Sequence, residues 1–515
     1  MLLGAAWPSF IIARTVRVPQ DAPTIQSGFA SLLHGDTLSV DRGVYIETLV
    51  APAILFKMIG HVEDDSSGQP LTIVDLTDEV IDDSTAVLTL PPHSHVVIEN
   101  FDFRNPSRNG IRSWADSVML RNCILDSANW GFRQVGDSIA AHVVLEHTRI
   151  RANYFSCVSV RNLASLRASN CVFSGLGDNL YRLVGVSESV IDSCSFHSDD
   201  PCIMLVASGR SHRITNCNFG PSETRPTLQA IYVDSPDFEF SGNSLVDCSY
   251  DIHLLDISTL QGDSVVVDEN MFERCHGLAG RLTSLSVVQV NTSAFSESGA
   301  TITNNTFIEC SGNRTSDDLA LTPFFPSLVS NNRFIRDSLN GLPSIAMSPS
   351  PWQPTPAVLR DNVFEECGFA VLGSEAADGR FNYWGHSSGP FHEALNPLGL
   401  GDTLAGDMQF IPWLGDSTSD FTSHPEIEKD FSVSVHPNPF NSTVTIEYAL
   451  IREQKVKIEI YDVLGRNVET LFDDRQSAGV HSILWQADSF TSGVYVAKLS
   501  SPYSNSQAVK LLLLK

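Results

Sequence analysis

Ile214-Thr215-Asn216-Cys217-Asn218-Phe219 recurs with variation over most of this 515-residue chain. Aligning Phe219 with its counterparts gives the register Phe103, Leu125, Ile150, Phe173, Phe196, Phe219, Leu245, Phe272, Phe307, Phe334 and Phe364. The steps run from about 22 to about 35 residues, a period that belongs to a solenoid array. Five residues before each aligned position stands an apolar residue: Ile98, Leu120, Leu145, Ala168, Ile191, Ile214, Phe240, Val267, Ile302, Val329 and Leu359. Three before it stands, in most repeats, a turn-former: Asn100, Asn122, Asn170, Ser193, Asn216, Gly242, Asn304, Asn331 or Asp361.

Each repeat therefore reads as strand, sharp bend, strand. Asn and Gly tolerate the left-handed backbone that a short bend needs, and Cys217 and Phe219, two apart, share one face of the next strand. No repeat carries a helix-length apolar pattern, so ankyrin, tetratricopeptide and leucine-rich solenoids fit poorly. What remains is an all-β coil of short strands stacked at about 4.8 Å per turn, a parallel β-helix with ladders of like residues inside. One repeat cannot bury its apolar face alone, whereas stacked repeats can.

The formal charge of −27 and pI near 4.8 argue against nucleic acid or an anionic membrane surface as partner. Lys57 and Lys429 are consecutive lysines, so the repeats use Arg as their only strong cation. Eight of the ten cysteines fall into two registers. Cys123, Cys171, Cys194 and Cys217 lie two before the aligned residue, and Cys248, Cys275, Cys310 and Cys367 lie three after it. Stacked thiols with parallel Cβ vectors suit disulfides poorly, so they read as small buried hydrophobes; a few disulfides between rungs are the alternative. No CxxC pair or histidine cluster has metal-ligand spacing, so no metal site is expected.

Residues 1–13 are apolar, interrupted by Pro8, and resemble the end of a secretory signal whose beginning is missing; a buried first strand is the alternative. They are too short to span a bilayer. The following stretch reads strand (Thr15-Val16-Arg17-Val18), helix (Ile25, Phe29, Leu32 and Leu33, with Pro23 near its start and Gly35 past its end), strand (Thr37-Leu38-Ser39-Val40). A helix here suits the open end of a β-helix, where it blocks unpaired strand edges. Val18-Pro19-Gln20-Asp21-Ala22-Pro23-Thr24-Ile25-Gln26, with Gly35-Asp36-Thr37 and Gly43-Val44-Tyr45, resembles the opening of pectin-lyase-like right-handed β-helix proteins. That resemblance implies the fold and leaves activity open.

The array occupies residues 82–382, and its longest steps place Pro-, Ser- and Asn-rich excursions at 311–326 and 340–356, carrying Phe324, Phe325 and Trp352. These either wall a groove or pack down on the side of the coil. Arg380-Phe381-Asn382-Tyr383-Trp384-Gly385, followed by a Gly/Pro-rich wrap to Leu414, is similar to the closing segment of bacterial right-handed β-helix repeat proteins. Closure with a packed Trp384 is the expectation, against a sugar-binding one.

The domain reading is thus a signal-like remnant at 1–13, the right-handed parallel β-helix at 14–415, an acidic linker at 416–431 and a second domain at 432–515. In that domain the pattern changes to period-two alternation: Val433 and Val435; Val444, Ile446 and Tyr448; Val456, Ile458 and Ile460; with Val494, Val496 and Leu499 nearby. Strands of this kind form a small Ig-like antiparallel β-sandwich. Pro437-Asn438-Pro439-Phe440-Asn441, Tyr461-Asp462-Val463-Leu464-Gly465-Arg466, Ser477-Ala478-Gly479-Val480-His481, Ser492-Gly493-Val494-Tyr495 and Lys510 to Lys515 resemble the type A sorting domain of the type IX secretion system. The resemblance implies passage through the periplasm, the secretion machinery as partner, and a destination outside the cell or on the outer-membrane surface. Pro437, Asn438, Pro439, Phe440, Gly465, Gly493, Lys510 and Lys515 carry the sorting signal in this reading.

Chemistry on a β-helix belongs to outward side chains and turns. In the strand after the aligned residue, Ile111, Phe132, Val158, Ile203, Ile231 and Ile252 read as inward-facing, which turns Arg112, Arg133, Ser159, Met204, Tyr232 and His253 outward, with Arg182 in the analogous place. Asp178, Asp199, Asp200 and Glu223 sit in adjoining turns, with Trp130, Tyr154 and Tyr181 close in register. Arg grips carboxylates, aromatic faces cover sugar rings, and Asp pairs serve as acid and base in hydrolysis or bind calcium. Such a face suits an acidic polysaccharide, with Arg112, Arg133, Trp130, Tyr154, Tyr181 and Tyr232 in contact and Asp178, Asp199, Asp200, Glu223 and Arg182 as catalytic candidates. The bland alternative is a set of solvated turn charges. Ser198-Asp199-Asp200-Pro201-Cys202-Ile203 resembles the Asp-Asp-Cys element of polygalacturonases, but no Asn-Thr-Asp, Gly-His-Gly or Arg-Ile-Lys companion stands in neighbouring rungs, and pectin methylesterase signatures are missing. The leading expectation is a monomeric secreted or surface protein that binds glycans or serves as a structural or adhesive module. A secreted polysaccharide lyase or glycoside hydrolase is the alternative.

Overall fold

The computed structural model describes residues 13–63, 68–77, 86–105, 109–127, 129–135, 141–152, 155–175, 181–198, 204–207, 210–220, 227–234, 237–259, 264–277, 286–292, 300–310, 317–322, 327–336, 344–347, 357–372, 377–417, 431–450, 454–462, 466–476, 479–501 and 504–515. Two compact units divide the chain, Met1–Thr418 and Ser419–Lys515.

The first unit is a parallel β-solenoid of three sheets, with 14, 16 and 13 strands. One turn runs His95–Glu99 in the first sheet, Phe101–Asn105 in the third, Asn109–Ser113 in the second and back to Ser117–Arg121 in the first. The aligned register of the sequence is the register of the third sheet at every step from Phe103 to Phe364. The residues five earlier pair in the same way along the first sheet, from Ile98 to Leu359. Between these two files lies the bend, and all eleven residues three before the aligned position have positive φ, from Asn100 (67°) to Asp361 (58°). His147 and Glu269 adopt it too. The sharp corner imposes the left-handed backbone whichever residue stands there, and Asn or Gly only make it cheaper.

The interior is built from files that run along the coil. Phe173, Phe196 and Phe219 stack with centroids 5.1 and 4.8 Å apart. Phe272, Phe307, Phe334 and Phe364 continue at 4.7, 4.8 and 5.1 Å, and Trp384 closes the file 5.0 Å from Phe364. These distances are the strand spacing itself. Trp384 is wholly buried, so it is a packed residue rather than a sugar platform.

Beside the rings runs a second file, in which thiols give way to amides. Cys194 N–H donates to Cys217 Sγ at 3.4 Å, and Cys217 N–H to Asn243 Oδ1 at 2.9 Å. Asn243, Asn270, Asn305, Asn332, Asn362 and Asn382 then stack without interruption. Each side-chain oxygen accepts the main-chain N–H of the asparagine one rung before it, at 2.9–3.0 Å. Each side-chain nitrogen donates to a carbonyl of the preceding turn, as Asn305 does to Val267 O at 2.8 Å. Buried amides satisfied in this way do not carry the desolvation penalty of an orphaned group. The nine described cysteines are free and buried, as the stacked-thiol reading expects, and Cys202 lies outside the described residues.

Three details differ from the sequence reading. The helix spans Ile25–Ser31, with Thr24 as N-cap in a capping box with Ser27; Leu32 follows the helix, and Leu33 is exposed. Ile25 and Phe29 enter the coil's core, Phe29 meeting Phe56 edge-on at 5.5 Å. The excursion at 311–326 contains a strand, Asp317–Thr322, and that at 340–356 another, Ile345–Met347, both in the second sheet. Phe324, Phe325 and Trp352 lie outside the described residues.

The second unit consists of two antiparallel sheets around one core. Phe431–His436, Thr443–Leu450 and Gly479–Gln486 form one; Asn467–Gln476, Gln454–Asp462, Gly493–Ser501 and Ser504–Leu513 form the other. Val444, Ile446, Tyr448, Val456, Ile458 and Ile460 point inward around the buried Trp485. In the strand Gly493–Ser501 the buried residues are Tyr495, Ala497 and Leu499, so Val494 and Val496 occupy the opposite face.

Candidate functional site

The outward arginine row is a feature of the second sheet. Arg112 pairs with Arg133, Arg133 with Ser159, and Ser159 with Arg182. Their inward neighbours Ile111, Phe132, Val158 and Tyr181 form the matching core file. Further along, Met204 is in register with Tyr181 and Leu205 with Arg182, and then Leu255 and Asp256 follow Ile231 and Tyr232. By main-chain register the positions in line with Arg182 and Tyr232 are therefore Leu205 and Asp256, where counting along the sequence expects Met204 and His253. Turns of unequal length shift the count by one residue or more, and an odd slip exchanges the two faces of a strand.

Tyr181, expected at the ligand surface, is wholly buried, edge-on to Phe173 at 4.9 Å and to Phe196 at 5.9 Å. A ring inside the coil cannot meet a sugar. Trp130 lies with the row: the Arg133 guanidinium carbon sits 4.0 Å from its ring centroid, and the ring stacks on Phe155 at 4.4 Å and 11°. Arg112 lies over Trp114 at 4.5 Å. Trp114 and Phe155 were missed, although Trp114 stands two residues after Arg112, on the same face by alternation. With Trp130 already against Arg133 and Phe155, the most exposed ring of the cluster is Phe155.

Burial, and then the like charges of Arg112 and Arg161, pull Arg133 below the usual guanidinium value. Some other arginines on the coil are matched with acids, as Arg121 is between Glu99 and Glu146 and Arg336 between Glu309 and Glu366. Arg133, Arg161 and Arg182 make no ion pair among the described residues, and the buried Nε of Arg182 has no hydrogen-bond partner among them. A guanidinium stacked on an aromatic ring is held in orientation while its edge N–H groups remain available to a planar anion.

Asp178, Asp199, Asp200, Glu223 and Tyr154 lie outside the described residues, as does the side chain of Tyr232, whose main chain is in register with Leu205. Among the described residues no group of three His, Cys, Asp or Glu is placed to hold a metal ion, and no helix is long and apolar enough to cross a membrane.

Residues 89–245 match the model of the right handed β-helix region, and residues 434–514 match the secretion system C-terminal sorting domain. The chain is a right-handed β-helix protein with a type IX sorting domain. That domain marks the β-helix protein for secretion or attachment at the cell surface and makes the secretion machinery its partner. No curated protein matches this chain. Among solved structures, the tailspike of Acinetobacter baumannii bacteriophage Fri1, a capsular polysaccharide depolymerase, is similar at 13% identity over 93% of this chain and 74% of the other, with a TM-score of 0.23. The tailspike of E. coli bacteriophage HK620, in complex with a pentasaccharide, is similar at 10% identity over 93% and 86%, with a TM-score of 0.33. Overlaps this loose carry no argument about what the β-helix protein binds.

Proposed function

We propose that this exported β-helix protein binds an acidic glycan, as an adhesive or structural module, along the row Arg112, Arg133 and Arg182 on its second sheet. The observation that supports this reading is Arg133, stacked on Trp130 beside two like charges and without an ion pair among the described residues, in a chain of charge −27. An anion relieves that repulsion, and successive carboxylates of an acidic glycan meet Arg112 and Arg133 one rung of about 4.8 Å apart and Arg182 two rungs further on. Aromatic surface at Phe155 and Trp114 adds contact with ring faces.

The test is affinity electrophoresis of the full chain against a panel of uronate-containing, sulfated and neutral polysaccharides at low and moderate salt. Retention by acidic polymers that weakens with salt is the expected result. Retention by neutral polymers alone, or by none, overturns the proposal. Reducing-end and unsaturated-uronate assays on the same panel read out the rival activity, cleavage by a lyase or glycoside hydrolase.

A further inference from the structure

The sorting motif Pro437-Asn438-Pro439-Phe440 and the final stretch Lys510 to Lys515 are separated by some seventy residues, Lys510 standing 72 positions after Asn438. In space they are one object. The strand Ser504–Leu513 is the outer strand of its sheet, paired through that sheet only with Gly493–Ser501. Its other edge presents, in order, Lys510 O, Leu512 N–H, Leu512 O and Leu514 N–H. All four are taken. Asn438 imitates a peptide group: its Nδ2 donates to Lys510 O at 2.7 Å and its Oδ1 accepts from Leu512 N at 2.8 Å. The main chain of Phe440 continues the pattern, its N–H donating to Leu512 O at 3.0 Å and its carbonyl accepting from Leu514 N at 2.8 Å. The Phe440 ring is buried against Trp485, with centroids 5.6 Å apart. Beyond the strand, Lys515 N donates to Ser492 Oγ at 2.9 Å and its Nζ to Asp488 O at 2.6 Å.

An open strand edge is a template on which another chain adds a strand, and this edge is closed at the signal itself. The side chains of Lys510, Leu514 and Lys515 nevertheless remain exposed. The structure assigns Asn438 the role of a positioning residue: with Phe440 it seals the edge of the last strand. The receptor of the secretion machinery then meets a preformed strand and reads Lys510, Leu514 and Lys515 by their side chains, rather than adding a strand to an extended tail. This inference rests on the sorting domain alone, so it stands or falls independently of glycan binding.

The experiment uses the full chain in a host with a type IX route and compares secreted with retained protein. Asn438→Ala removes both side-chain bonds, Asn438→Asp keeps the acceptor for Leu512 N–H, and Ile446→Val weakens the core of the same domain without touching the edge. Amide exchange at Leu512 is expected to accelerate about tenfold in Asn438→Ala and less in Asn438→Asp. The secreted fraction is expected to fall in the same order, while Ile446→Val at a matched loss of thermal stability is exported like the parent. Normal export of Asn438→Ala despite faster exchange overturns the assignment, as does a loss that merely follows stability across all three. Should Asn438→Ala show no folded sorting domain, Asn438→Asp decides: reduced protection with undiminished export overturns the assignment, and reduced export supports it.

Discussion

Asn243 Oδ1 accepts the main-chain N–H of Cys217 at 2.9 Å, and at that contact the interior file changes from sulfur to amide. Above it a thiol accepts weakly; below it every asparagine both accepts and donates. Asn305→Ala leaves the buried N–H and Nδ2 of Asn270 and the carbonyl of Val267 short of a partner. A loss of about 3 kcal/mol is expected. Cys194→Ala, which removes only a thiol contact and a small volume, is expected to cost about 1 kcal/mol. Urea denaturation followed by circular dichroism ranks the two, and equal costs would show that the amide file contributes no more than the sulfur file.

Burial pushes the thiols of Cys123 and Cys157 up to about 12. The thiolate is the reacting species, so both are expected to resist iodoacetamide at pH 8 in the folded protein and to react fully in denaturant. Peptide mass spectrometry after native and denatured labelling checks this. Labelling of either in the native protein would contradict its burial.

His212 is buried, with Nδ1 2.7 Å from Ser189 Oγ and Nε2 without a partner among the described residues, and burial lowers its pKa to about 4 from an ordinary 6.5. The unfolded chain then binds the extra proton first as pH falls, so the contribution is complete above pH 6.5 and is lost progressively toward pH 4, by at most about 3 kcal/mol. His212→Phe, which matches Phe238 on the next rung of that file, should flatten the pH dependence of the melting temperature between 4 and 6.5. An unchanged slope would place the proton elsewhere.

Arg133→Ala is expected to weaken retention by an acidic polysaccharide about tenfold, and Arg133→Lys by less, since an ammonium keeps the charge and loses the planar fork. Trp130→Ala removes the ring that orients the guanidinium and should fall between them. Affinity electrophoresis at fixed salt measures all three. If Lys is as poor as Ala, geometry rather than charge governs the contact.

The coil was legible because its period repeats often enough for Phe219 to be aligned on both sides, and every aligned pair is a pair in the third sheet. Arg112 and Arg133 were legible for the same reason. The phase is not legible past the longer turns: counting puts Met204 and His253 in line with the arginine row, whereas the main-chain register puts Leu205 and Asp256 there. Tyr181 was misplaced because a tyrosine beside an arginine reads as surface, while strict alternation next to Arg182 sends it inside. The asparagine file carried a plain signal, Asn305, Asn332 and Asn362 each two before a phenylalanine, but a polar residue at a core position is legible only once its partners one rung away are known.

That file has no built-in length. Each storey brings the oxygen its predecessor requires and passes the same requirement to the next, until Asn382 ends the series with its nitrogen on Leu359 O and Gly379 O. A gene duplication of one whole turn therefore leaves no donor stranded, whereas a partial one breaks the stack, so the shaft of this protein is free to grow or shrink across a lineage in integral steps.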